Sequence, residues 1–317
     1  MSQESSLTPN VNNMQRTIPL KKIPSSLWND SAINFSDTLR VIYADTLAKY
    51  ALTEQAKVYA VGVVGGVSAH EADEHFAKRY LTSCSRVEFA YLDPLNRWTN
   101  IHNILNEILS EGRIGILDLA CGSGAATLGL ITTLIELRHK RILPVLPLSI
   151  NIVGADYSQR SLDIFNAQLT PLVIAGNKYG VNIISNLVIC DLGNATHITN
   201  TLAKFTSSHA DDYLVLIANI SSALEKEGFR DNMDRAMTLI LGHLNGKSAN
   251  ILSIEPSISK SEEKGWFKKM LVRALSFFGD WTASNTETSN AKFQYYHYLL
   301  GKNINSNVAI KEVTHVE

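Results

Sequence analysis

The chain has 317 residues, of which 45% are hydrophobic, enough to bury a large core and to exclude a wholly disordered protein. Its 29 basic and 30 acidic residues leave a formal net charge of −1, so no global field draws it to nucleic acid or to an anionic membrane. Cys84, Cys121 and Cys190 are too dispersed for a disulfide framework or a thiolate metal site, and no apolar run approaches the roughly 20 residues of a membrane-spanning helix.

A reducing cytoplasm is therefore the expected compartment, with no metal and no membrane contact. Residues 1–25 are polar, carry Pro9, Pro19 and Pro24, and read as a flexible leader. From 26 to 111 the apolar residues recur at helical spacing, first Phe35, Leu39, Ile42, Tyr43 and Leu47, then a stretch from Ala69 through Tyr80. This predicts a helical unit of three or four helices, with the Gly-rich VYAVGVVGGVS (58–68) as a junction between them. From Ile114 the runs IGILDLA, NIVGADY, NLVICD, YLVLIANI and NILSIEP alternate with amphipathic stretches, which predicts βαβ units and a mostly parallel, doubly wound sheet. DWTAS and FQYYHYLLG are expected to pair as an antiparallel edge hairpin. The domain would end near 303, with 304–317 a polar tail.

The strongest local signal is ILDLACGSGAATLGL (116–130). A strand ends at Asp118, a turn carries Gly122 and Gly124, and an Ala/Leu-rich helix follows at once. Small residues there let a ligand approach the backbone, and the helix N-terminus adds donors, so a nucleotide-like cofactor is implied. A nicotinamide dinucleotide would need a small residue where Thr127 stands and an acidic strand end about 20 positions on, whereas the next one is Asp156.

On Asp118, Ala120, Gly122 and Gly124 the sequence resembles the class I S-adenosylmethionine-dependent methyltransferases, with Ala120 in the first glycine place. The resemblance covers about residues 112–301. It implies S-adenosyl-L-methionine as cofactor and a seven-stranded α/β sheet of order 3-2-1-4-5-7-6 with strand 7 antiparallel. By the same resemblance Asp156, with Tyr157 beside it, accepts hydrogen bonds from the ribose diol, Asp191 faces the adenine amino group, and Leu192 lies along the ring. Asn219 ends the fourth strand where cofactor and substrate meet, with positioning a substrate atom, bonding the cofactor and turning the chain all open. Glu255, Glu88 and Tyr91 are the candidates for acid–base work on the acceptor.

Two further stretches read as ordinary structure. HEADEH (70–75) spaces its histidines five apart rather than four, so it reads as a solvated helical face rather than a zinc site. The Lys-rich segment 260–281 carries acids among its bases and reads as a helix packed on the sheet. The expected activity is methylation of a small molecule on O or N, with a homodimer compatible. RNA methylation is the alternative, because RYLTSCSRVEFAYLDPLNRWTNIHNIL and IEPS are similar to methyltransferase-like proteins of the mitochondrial small ribosomal subunit, though that family's cysteine cluster is absent. A catalytically silent interaction protein on the same fold is the second alternative.

Overall fold

Two short strands that the composition does not advertise begin the fold. Trp28–Asn29 (β1) and Ala32–Ile33 (β2) form a tight hairpin whose central residues, Asp30 and Ser31, both take positive φ, as a two-residue turn of matching twist requires. The computed structural model describes residues 23–58, 66, 68–220, 228–256 and 289–316. The helix expected over 260–281, the DWTAS strand and most of the 58–68 junction lie outside the described residues.

Four helices follow the hairpin: α1 (Asp37–Lys49), α2 (Thr53–Ala56), α3 (Ala69–Leu92) and α4 (Thr99–Ile108). Strands and helices then alternate through β3 (Gly112–Leu119), α5 (Ala125–His139), β4 (Leu148–Asp156), α6 (Gln159–Asn177), β5 (Val181–Ile189), α7 (Ala195–Thr206), β6 (Asp212–Ala218), α8 (Phe229–Leu244) and β7 (Ala249–Glu255). The chain closes with β8 (Ser289–His297) and β9 (Lys302–Val316).

The sheet has nine strands in the order β1-β2-β8-β9-β7-β6-β3-β4-β5, so the expected seven-stranded order is corrected by the β1-β2 hairpin, which lies in the stretch read as helical and adds two strands beside β8. The segment read as a polar tail is β9. It runs antiparallel between β7 and β8, with Ile304 and Val308 buried. FQYYHY therefore pairs with the segment after it.

The alternation along β3 divides the core. Ile114 and Ile116 join α1, α3, α5 and α6 on one face, whereas Leu117 and Leu119 join α7 and α8 on the other. The helices before Gly112 are not a unit apart, because residues from Leu27 to Leu109 share one apolar cluster with the sheet. Their anchor is α3, started by a capping box between Ser68 and Glu71. It crosses α5 where a Cβ on Gly129 would lie 3.0 Å from the Cys84 carbonyl oxygen, so glycine lets the helices approach this closely and a larger residue would push them apart by a few tenths of an ångström.

The second half of α3 is buried on every side and takes Glu88 into the core, where neither carboxyl oxygen has a hydrogen-bond partner among the described residues. Burial pushes its pKa well above the usual carboxylate range, so the group is a neutral acid in the folded protein. A raised carboxyl pKa leaves stability intact below the unfolded value and removes it as pH rises toward the folded one. Glu88→Met is therefore expected to stabilise the fold by about 1–3 kcal/mol at neutral pH, and by less at pH near 4. Urea unfolding at the two pH values checks this, and a destabilised variant would contradict it.

Candidate active site

Three adjacent strands end in carboxylates. Asp118 is the penultimate residue of β3, Asp156 closes β4, and Asp191 follows β5 after Cys190. The register sets Asp118 beside Gly154 on β4, and β4 runs on to pair Asp156 with Ile189 of β5. All three line a cavity of about 340 Å³ at the carboxyl ends of the strands, the place where open α/β sheets take ligands.

The turn after β3 makes the cavity floor. Ala120, Gly122 and Gly124 have φ of 56°, 54° and 79°, so alternate residues are left-handed and the chain coils tightly into α5. Glycine meets that demand freely at the second and third positions, while Ala120 holds it at some cost. Asp156 ties the turn down: Oδ2 accepts the Gly122 N–H at 2.8 Å and Oδ1 accepts the Ser158 N–H at 2.8 Å. Thr127, on the first turn of α5, donates its hydroxyl to Asp118 Oδ2 at 2.7 Å. This gives the residue that interrupts the dinucleotide fingerprint a task of its own.

Burial dominates the electrostatics. It pushes the Asp118 pKa up to about 7 against the opposing Thr127 hydrogen bond, and raises that of Asp156 against backbone N–H groups. Cys121 and Cys190 also line the cavity, and burial raises both above the usual thiol range, so they stay protonated. Asp191 Oδ1 accepts the Gly193 N–H at 2.8 Å, and Leu192 lies beside it in the wall. Tyr157 also lines the cavity, with much of its side chain exposed.

Among the expected acid–base residues, Glu88 and Tyr91 are displaced from the site. Both are buried in the α3 core, the Tyr91 hydroxyl has no partner among the described residues, and neither lines the cavity. Glu255 does not line it either. Its Oε1 accepts the Ile220 N–H at 3.1 Å and so anchors the turn that follows β6.

Asn219 begins that turn in a left-handed conformation, φ 61°, which asparagine tolerates better than most residues. Its N–H donates to the Ile254 carbonyl at 2.8 Å, and its Oδ1 accepts from Arg86 Nη1 at 2.6 Å. Arg86 stands on α3 and also donates through Nε to the Asn307 carbonyl of β9 at 3.1 Å.

The sequence reading missed the α3 wall. Ala72, His75 and Ser83 face the cavity, so HEADEH is only partly solvated: His70 is exposed while His75 points inward. Burial, with the Arg79 and Arg86 guanidiniums nearby, lowers the His75 pKa to about 4, leaving a neutral imidazole. Residues 72, 75, 79, 83 and 86 follow helical spacing along one face, and that stripe was the available signal. Phe229 and Asn232 enter from the first turn of α8. Among the described residues no group of three His, Cys, Asp or Glu side chains is placed to hold a metal ion, and no helix is long and apolar enough to cross a membrane.

The strands from Gly112 onward, taken by themselves, run β5-β4-β3-β6-β7-β9-β8 with β9 antiparallel, and the glycine turn lies at the carboxyl ends of β3 and β4. This is the Rossmann-like methyltransferase fold. No family model and no curated protein matches the sequence. Solved structures similar to it include a putative class I S-adenosylmethionine-dependent methyltransferase from Listeria monocytogenes, at 11% identity and TM-score 0.37, covering 86% of this chain and 68% of that one. Another is a SAM-dependent methyltransferase from Agrobacterium tumefaciens, at 12% identity and TM-score 0.35, covering 66% of this chain; this chain spans 59% of that one's length. A third is a putative S-adenosyl-L-methionine-dependent methyltransferase from Methanococcus maripaludis, at 14% identity and TM-score 0.31, covering 78% and 94%. The fold assignment rests on the strand order and the turn.

Proposed function

We propose that the protein is an S-adenosyl-L-methionine-dependent methyltransferase acting on a small molecule. The observation that carries this reading is the row of three carboxylates, Asp118, Asp156 and Asp191, along one cavity above a left-handed glycine turn. The residues suit the cofactor. A Cβ built on Gly122 would meet nothing within 4 Å, so open space lies directly over the turn. A carboxylate is an acceptor-only group with about four lone-pair directions, and the backbone occupies only part of that capacity at Asp156 and Asp191. In this reading Asp118 faces the cationic methionine end, Asp156 takes the ribose diol beside Tyr157, and Asp191 with Leu192 holds the adenine.

When bound, the cofactor supplies a methyl group already activated on a sulfonium. The protein's part is then alignment and exclusion of water, which together account for much of the rate in such displacements. The small-molecule acceptor is favoured by the net charge of −1, since polyphosphate recognition draws on clustered basic residues.

Calorimetry tests the reading. S-adenosylmethionine and its demethylated product should bind, and NAD should not compete. Asp118 titrates at about 7, so a cation placed beside it should lower that pKa and expel a fraction of a proton near neutrality. The binding enthalpy should therefore vary with the ionisation enthalpy of the buffer. Absence of binding, or displacement by NAD, would refute the cofactor assignment. Labelled methyl recovered in the RNA fraction of an extract would replace the small-molecule acceptor with RNA.

A further inference from the structure

We infer that the methyl acceptor presents an oxyanion, a carboxylate or a phenolate, to the Asn219 side-chain amide, which makes the reaction an O-methylation. The inference rests on the methyltransferase reading and deepens it by naming the acceptor chemistry.

A guanidinium offers five N–H groups and no lone pair, so the Asn219 atom 2.6 Å from Arg86 Nη1 is necessarily the oxygen. Arg86 is held in place by the Asn307 carbonyl, and the Asn219 backbone is held by the Ile254 carbonyl, so the amide has no freedom to turn over. The half of Asn219 left for a ligand is therefore Nδ2, a pure donor, which has no hydrogen bond among the described residues. A substrate amine aimed at this position would bring N–H against N–H. An oxygen lone pair would complete the amide and share the neighbourhood of the Arg86 charge.

The rest of the wall agrees. His75 is uncharged and a weak base, first through burial and then through the Arg79 and Arg86 guanidiniums, and those same guanidiniums would favour an anion. Glu88, Tyr91 and Glu255 do not line the cavity. An acceptor that arrives as an oxyanion needs none of them. Its oxygen lone pair forms the new O–C bond, the S–C bond breaks with its electrons passing to sulfur, and the anion and the sulfonium yield two neutral products with no proton to place.

Two measurements on the full chain test this. In the first, the protein saturated with S-adenosylhomocysteine is titrated with benzoate, 4-nitrophenolate or benzylamine while the ¹⁵N side-chain amide signal of Asn219 is followed, assigned by its loss in Asn219→Asp. Benzoate or nitrophenolate should move the signal and benzylamine should not. In the second, ¹³C-methyl cofactor is supplied with metabolite extract, and the methyl shift and alkali stability of the product are read. An O-bound methyl is expected, alkali-labile for an ester and alkali-stable for an aryl ether.

Asn219→Asp keeps the left-handed backbone and the Arg86 contact but sets like charge against an oxyanion, and should lower kcat/KM at least about a hundredfold. Its S-adenosylhomocysteine binding should persist. A methyl on nitrogen or carbon, or an amide signal moved only by benzylamine or by none of the probes, would overturn the inference. Failure of S-adenosylhomocysteine to bind the unaltered protein would instead remove the methyltransferase reading itself.

Discussion

Gly124→Ala is expected to destabilise the protein by about 2–5 kcal/mol, the sum of forcing a side chain into the left-handed region and overfilling a packed site. Gly124 has φ 79°, and a Cβ there would lie 2.3 Å from the Phe165 ring. The ring has no room to retreat, because it is fully buried and already lies 2.8 Å from where a Cβ on Gly154 would sit. Gly122→Ala is the informative comparison. Its φ of 54° carries the same backbone cost, but its Cβ would project into open space, so the fold should survive while the cofactor loses room. Gly122→Val should abolish binding outright. Urea unfolding and calorimetry on these variants separate the two roles; equal loss of stability at both glycines would show that the clash with Phe165 is relieved in some other way.

Asp156→Ala should lower affinity for S-adenosylhomocysteine at least about tenfold, since two hydroxyl bonds to a charged acceptor are lost at about 1.5–3 kcal/mol each. The structure adds a second reason. The same carboxylate receives the Gly122 and Ser158 N–H groups, so its removal also unties the turn on which the cofactor would rest. Asp156→Asn keeps one acceptor oxygen and should fall between the two. Unchanged affinity in a folded Asp156→Ala protein, read by calorimetry, would remove the carboxylate from the site.

The two expectations that failed at the ends of the sheet have a common cause. The β1-β2 hairpin has two-residue strands, too short for any periodic signal, and only its positive-φ turn distinguishes it. The segment after Gly301 is rich in asparagine and reads as solvated, yet Ile304 and Val308 alternate with polar residues in the manner of a half-buried strand. It pairs with β8 just before it and, along its other edge, with β7 some 60 residues earlier in the chain, and that second partnership lies in no local window.

What the sequence determined by itself was the succession of strand, turn and helix from Gly112, and the placing of Asp118, Asp156, Asp191 and Asn219 at strand ends. These depend on periodicity and on turn composition, which are properties of neighbouring residues. The tertiary structure alone decided which polar side chains share the cavity. Glu88 and His75 lie on the same helix and look equally polar in sequence, but the close crossing of α3 over α5 at Gly129 accompanies burial of Glu88 in the core and exposure of His75 to the cavity. Asn219 was legible as a strand-end residue, whereas which end of its amide faces the cavity was not. Which half of the amide is left toward the cavity is set by Arg86, 133 residues away in the chain, through a single hydrogen bond that only the folded protein makes.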